Sequence, residues 1–183
     1  MDLYKNDLII KHLNKTKSRI SFYLAEDESP YYETYDNDES ICRPEYVDLC
    51  VKCSYDLWKK CGFSNDLTVL FEDKYSSYNK GEKEFIESCL DSSKCSVYHF
   101  KWSDDGENFN GTRYVWNTNK IDVKLLFEKI ILSDIREDTV LDCSVFIMDN
   151  KSKNIFFLYD DRGVDIFSND ENFIQIVSKI LRV

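Results

Sequence analysis

Asp160, Asp161 and Asp165 flank Arg162 and Gly163 in the run Tyr159-Asp160-Asp161-Arg162-Gly163-Val164-Asp165. Carboxylates this close could gather a hard divalent cation such as Mg²⁺ or Ca²⁺. The same residues suit a tight turn, in which Asp accepts backbone hydrogen bonds and Arg162 offsets the charge, so the expectation is a turn with no metal and no cofactor. A second group lies between Glu26 and Glu39, where Glu26, Asp27, Glu28, Glu33, Asp36, Asp38 and Glu39 are interleaved with Tyr31, Tyr32 and Tyr35 and there is no Lys or Arg. Tyrosines give contact area at low entropy cost and carboxylates steer a cationic partner. Tyr31, Tyr32, Glu33, Tyr35, Asp36, Asp38 and Glu39 are therefore the candidate partner-binding residues, with a solvated acidic loop as the plainer alternative.

The cysteines and histidines offer less. Cys50-x-x-Cys53 has zinc-like spacing, but both fall within a predicted helix, and neither His12 nor His99 belongs to a complementary ligand pair. A redox motif would place its first Cys at a helix N-terminus, so two small buried thiols are expected instead. Cys95 and His99 could be named nucleophile and base, yet no third orienting group or oxyanion loop accompanies them. With no P-loop, G-x-G-x-x-G, G-x-S-x-G or H-E-x-x-H motif either, no catalytic residue is assigned.

The elements that must position these residues follow from size and patterning. At 183 residues and 21.7 kDa, with 43% hydrophobic and 15% aromatic residues, the chain predicts one domain spanning 1–183 with a substantial core. A formal net charge of -10 and a pI near 4.7 oppose nucleic-acid binding and permit a basic protein partner. The first residues lack a basic and then apolar leader, and no apolar run approaches a membrane span, so a soluble, cytoplasmic protein is expected, monomeric when unbound. Seven cysteines, an odd set, predict reduced thiols.

Leu3, Leu8, Ile9 and Leu13 predict a helix from Asp2 to about Leu13, and alternation from Arg19 to Leu24 predicts a strand. Pro44 opens a helix carrying Val47, Cys50, Val51, Trp58 and Cys61 before Gly62 stops it. A buried strand at Leu67 to Phe71 and a short helix at Lys83 to Leu90 come next. Ser96 to Trp102 and Thr112 to Trp116 suggest a hairpin with a long loop. Ile121 to Leu132 predicts an amphipathic helix. Cys143 to Met148, Ile155 to Tyr159 and a short strand after Gly163 suggest a meander, its last turn using a positive φ at Gly163. Ser168 and Glu171 have capping-box spacing ahead of a closing helix through Phe173, Ile176, Val177, Ile180 and Leu181. The predicted class is α+β, an antiparallel sheet of hairpins packed against helices.

"YDDRG-x-D" following a strand that opens "VFIMD" resembles the end of DUF3885, a widespread bacterial domain family of unknown function. The order of "SRISFYLAED", the helix Pro44 to Cys61 leading to "LTVLFE", "TRYVW" before a helix, and "SVFIMD" through "YDDRGVDIF" extends the resemblance over most of the chain. Tyr159, Asp160, Asp161, Arg162, Gly163 and Asp165 form its signature hairpin, and the acidic stretch from Glu26 to Ser40 has no counterpart in it. Domains of this sort look like those found beside bacterial toxins as immunity proteins, which implies an antitoxin acting by binding rather than chemistry. The leading expectation is thus a non-enzymatic inhibitor of a basic toxin, such as a nuclease, by steric and electrostatic blockade. Two alternatives stand beside it: a small-ligand binder or enzyme centred on Asp160, Asp161, Arg162 and His99, and an acidic nucleic-acid mimic.

Overall fold

The fold, a computed structural model, describes residues 7–25, 28–32, 41–76, 80–92, 94–136, 141 and 144–180. Among the described residues, five helices and seven strands follow in the order α1 (Ile9–Thr16), β1 (Ser18–Tyr23), α2 (Pro44–Cys61), β2 (Leu67–Asp73), α3 (Lys80–Ser88), β3 (Cys95–Asp104), β4 (Glu107–Thr118), α4 (Val123–Ile135), β5 (Ser144–Asp149), β6 (Ile155–Leu158), β7 (Gly163–Ser168) and α5 (Glu171–Ile180). The strands form one antiparallel sheet in the order β1-β7-β6-β5-β2-β4-β3, so the class is α+β.

Strand alternation sorts the core onto two faces. Val69, Phe71, Val145, Ile147, Phe156, Leu158, Val164 and Ile166 pack with α2, α3, α4 and α5. Leu70, Phe146, Met148, Ile155, Phe157 and Phe167 pack on the other side with Ile9 and Leu13 of α1. Strands β2, β6 and β7 are buried along their whole length, including the polar Thr68, Glu72, Asp73, Asp165 and Ser168 among their apolar residues.

Local chemistry sets the boundaries, sometimes away from those expected. The first helix begins at Ile9, because Asp7 is left-handed (φ 55) and its amide donates to the Lys101 carbonyl on β3. Residues 2–6 lie outside the described ones. α2 has the expected limits, from Pro44 to a stop at left-handed Gly62. β4 is far longer than predicted, β3 extends slightly beyond Ser96 to Trp102, and the two join through a tight turn, with Asp105 (φ 45) and Gly106 (φ 86) both left-handed, rather than through a long loop. α4 starts after Asp122, whose carboxylate accepts from the Leu125 amide at 3.2 Å. The cap of α5 is Asp170, which accepts from the amides of Asn172 and Phe173. Ser168 instead accepts from the Asp170 amide and donates to Asn154.

Gly163 also differs from expectation, since its backbone is not left-handed. A side chain there would stand 2.7 Å from the Phe22 carbonyl of β1 and against the phenol of Tyr159. Glycine is required by close approach between strands, not by turn geometry.

Candidate functional site

The β6–β7 turn is built by Asp160. Its carboxylate accepts from the Arg162 amide and Nε, each at 2.8 Å, and from Nη2, which folds the turn and fixes the guanidinium beside it. Asp160 therefore fills the structural role that turn chemistry predicts. Asp165 is separated from its neighbours by alternation along β7. It lies opposite Ser21 of β1, accepts from that hydroxyl at 2.5 Å, and meets Arg19 at 3.6 Å. The expected carboxylate trio is thus divided by the period of the strand.

Asp161 is different. It is 4% exposed, and its Oδ2 accepts from the Tyr46 hydroxyl at 2.7 Å. One of its carboxyl oxygens also lies within 4.8 Å of one from Asp134, in the last turn of α4. Burial pushes Asp161 up to about 6, the contact with Asp134 adds to the rise, and the Tyr46 hydrogen bond opposes it. The Tyr46 hydroxyl is in turn held far above the ordinary phenol range by burial and by Asp161.

Asp161 and Tyr46 line a half-open cleft of about 600 Å³. Asp134 and Ile135 of α4 form a second wall, and Arg162 and Tyr23 stand at the hairpin side. The remaining wall is the segment carrying Glu28, Pro30 and Tyr31. Tyr31 donates through its hydroxyl to the Ile135 carbonyl at 2.8 Å and bridges to Cys42 across the chain. Arg43 extends the closure, with its amide on the Pro30 carbonyl and its guanidinium on Glu28 and Glu45. Tyr32 donates to Glu45 at 3.0 Å on the outside of this wall.

The two regions singled out in the sequence therefore converge. Tyr31 from the acidic, tyrosine-bearing stretch and Asp161 and Arg162 from the hairpin face one cavity. Glu33, Tyr35, Asp36, Asp38 and Glu39 lie outside the described residues. Asp134 and Tyr46 were not anticipated. One signal for Asp134 was present: a carboxylate in the last helical turn opposes the helix dipole, a local misfit that marks a position held for another reason.

Chemically, the cleft presents carboxylates backed by phenols, an arrangement that accepts a cationic group. One oxygen each from Asp134, Asp160 and Asp161 lie within 4.8 Å of one another, although the Asp160 carboxylate is already engaged by Arg162. His99 does not join this site. It is exposed on β3 at the far edge of the sheet, with Nδ1 at 3.3 Å from Thr112 Oγ1, and β6, β5, β2 and β4 separate its strand from β7. Burial raises the Cys95 thiol, which opposes a thiolate nucleophile there. Cys50 is pushed up to about 11 by burial and Cys53 is raised by the same cause. The six described cysteines are free thiols, and Cys143 lies outside the described residues. Among the described residues, no helix is long and apolar enough to cross a membrane.

The chain belongs to the DUF3885 family: the model of this domain of unknown function matches residues 6–179. No curated protein and no solved structure matches the chain.

Proposed function

We propose that this DUF3885 domain is a non-enzymatic protein-binding inhibitor, an immunity protein that neutralises a basic toxin by seating one of its cationic side chains in the acidic cleft. The observation that carries this reading is the convergence of Tyr31, Tyr46, Asp134 and Asp161 on one cavity of about 600 Å³. Exposed Tyr23, 71% accessible, and Tyr32 add aromatic surface near its mouth. Aromatic side chains around a desolvated charged centre are the composition of a strong protein contact, and the net charge of -10 would speed encounter with a basic partner.

The test is capture of partners by the purified chain from its source lysate over a salt series, alongside a variant with Glu28→Lys and Asp134→Lys. Both substituted residues are exposed. A single basic protein that binds the natural chain, weakens as salt rises, and binds the variant at least about tenfold less is expected. Equal capture by both chains would remove the cleft from the interface. A second reading is favoured by the cavity volume itself, which lies within the range of small-ligand sites. Under that reading a cationic small molecule, rather than a protein, would protect the chain against thermal unfolding.

A further inference from the structure

The sheet ends in two edge strands, β1 and β3, and their outer sides differ. On β3 part of that side is already engaged: the Lys101 carbonyl takes the Asp7 amide at 3.2 Å, and the Ser103 carbonyl takes Lys11 Nζ at 2.8 Å. On β1 it is open. The Leu24 amide bonds the Arg162 carbonyl just past the β1–β7 register, so Ile20 and Phe22 turn their backbone groups toward β7. Arg19, Ser21 and Tyr23 therefore turn theirs away, and among the described residues nothing bonds these outward amides and carbonyls. Their side chains are exposed as well. Such a row of unpaired backbone groups is a template for another strand.

The open edge runs into the cleft. Tyr23, the last residue of β1, lines that cavity together with Ala25, Glu28, Asp134 and Asp161. We propose that β1 receives an extended cationic segment of the partner as a further strand of the sheet. Its backbone pairs with Arg19, Ser21 and Tyr23, and a Lys or Arg just beyond the paired stretch enters the cleft. The identity of the partner rests on the inhibitor reading above, to which strand addition adds the way the partner is held.

The side chains along the edge suit this use. Ser21 is small and donates to Asp165, while Arg19 stands 3.6 Å from the same carboxylate, so neither leaves an unbalanced charge toward an incoming strand. Tyr23, 71% accessible, offers a ring for cross-strand contact. Charge selects the occupant. A second copy pairing edge to edge would set one chain of formal net charge -10 against another, with Glu28 and Asp134 close to the end of each edge. A basic segment meets attraction at the same place.

The experiment uses the full chain and a synthetic probe, an acetylated peptide of about eight residues that alternates Thr and Val and ends in two Arg. Amide hydrogen exchange is followed by NMR along β1. With the peptide at millimolar concentration, the Arg19, Ser21 and Tyr23 amides should slow at least about tenfold, while those of Ile20 and Phe22, already paired with β7, should not change. The same peptide N-methylated throughout keeps its charge and loses its donors, and it should have no such effect. Unchanged exchange at the three outward amides, or equal slowing by both peptides, overturns strand addition. Protection already present in the free chain also overturns it: if it grows with protein concentration the occupant is a second copy, and if it does not, the chain covers its own edge. The readout needs no toxin, so a failed capture with the alternating protection intact removes the inhibitor reading alone, and a successful capture without it removes strand addition alone.

Discussion

Gly163 occupies extended backbone, and what demands glycine is the space between β1 and the Tyr159 ring. A methyl group there meets the Phe22 carbonyl, a main-chain atom of a paired strand that has little freedom to move. We expect Gly163→Ala to cost about 2–3 kcal/mol, measured as a lowered midpoint of urea unfolding. The run of aspartates shows a similar division between type and placement. Asp160, Asp161 and Asp165 have the same side chain, yet one folds the turn, one floors the cleft and one pairs with β1. Turn chemistry was legible for Asp160, because its partners are two residues away. The partners of Asp161 are Tyr46 and Asp134, which no local rule connects to it.

At the scale of elements, patterning located the helices and strands well where their apolar periodicity was strong. α2 was legible to both ends because Pro44 and Gly62 act locally. β4 was shortened in the reading because its outer half alternates with polar residues, and only pairing along Cys95–Asp104 and Glu107–Thr118 shows its length. The closing helix provides a test of a correction. Asp170 caps α5 through two amides, so Asp170→Ala should destabilise by about 1 kcal/mol in chemical denaturation, by loss of those bonds. Should the loss fall within error, the end of α5 would be held by packing of Phe173 and Val177 alone.

At the scale of the whole molecule, one buried ion pair binds distant parts of the chain. Arg113 on β4 meets Glu72 on β2 at 2.6 Å, donates to the Asp7 carbonyl, and lies 3.8 Å from the centre of the Phe100 ring. Glu72 also accepts from the Ile9 amide at 3.0 Å, which docks α1 on the sheet. Both charges are buried, and burial disfavours the charged form of each while their mutual attraction opposes it. Removing one partner strands the other, so Arg113→Ala should cost about 3–5 kcal/mol, a large part of a typical domain's stability. The double change Arg113→Met with Glu72→Gln should cost less, since it leaves no unpaired buried charge. Equilibrium unfolding of both variants measures the difference.

The sequence by itself determined the α+β class, the acidic charge, the family and the turn at Asp160 to Gly163, because each depends on composition, periodicity or neighbours in the chain. Tertiary structure alone decided which residues share a site. The sheet order placed His99 at the far edge, strand alternation removed Asp165, and the ends of α2 and α4 brought Tyr46 and Asp134 to Asp161. Those contacts join residues far apart along the chain, and it is burial at their meeting point, rather than any local preference, that pushes the Asp161 carboxyl above the ordinary aspartate range.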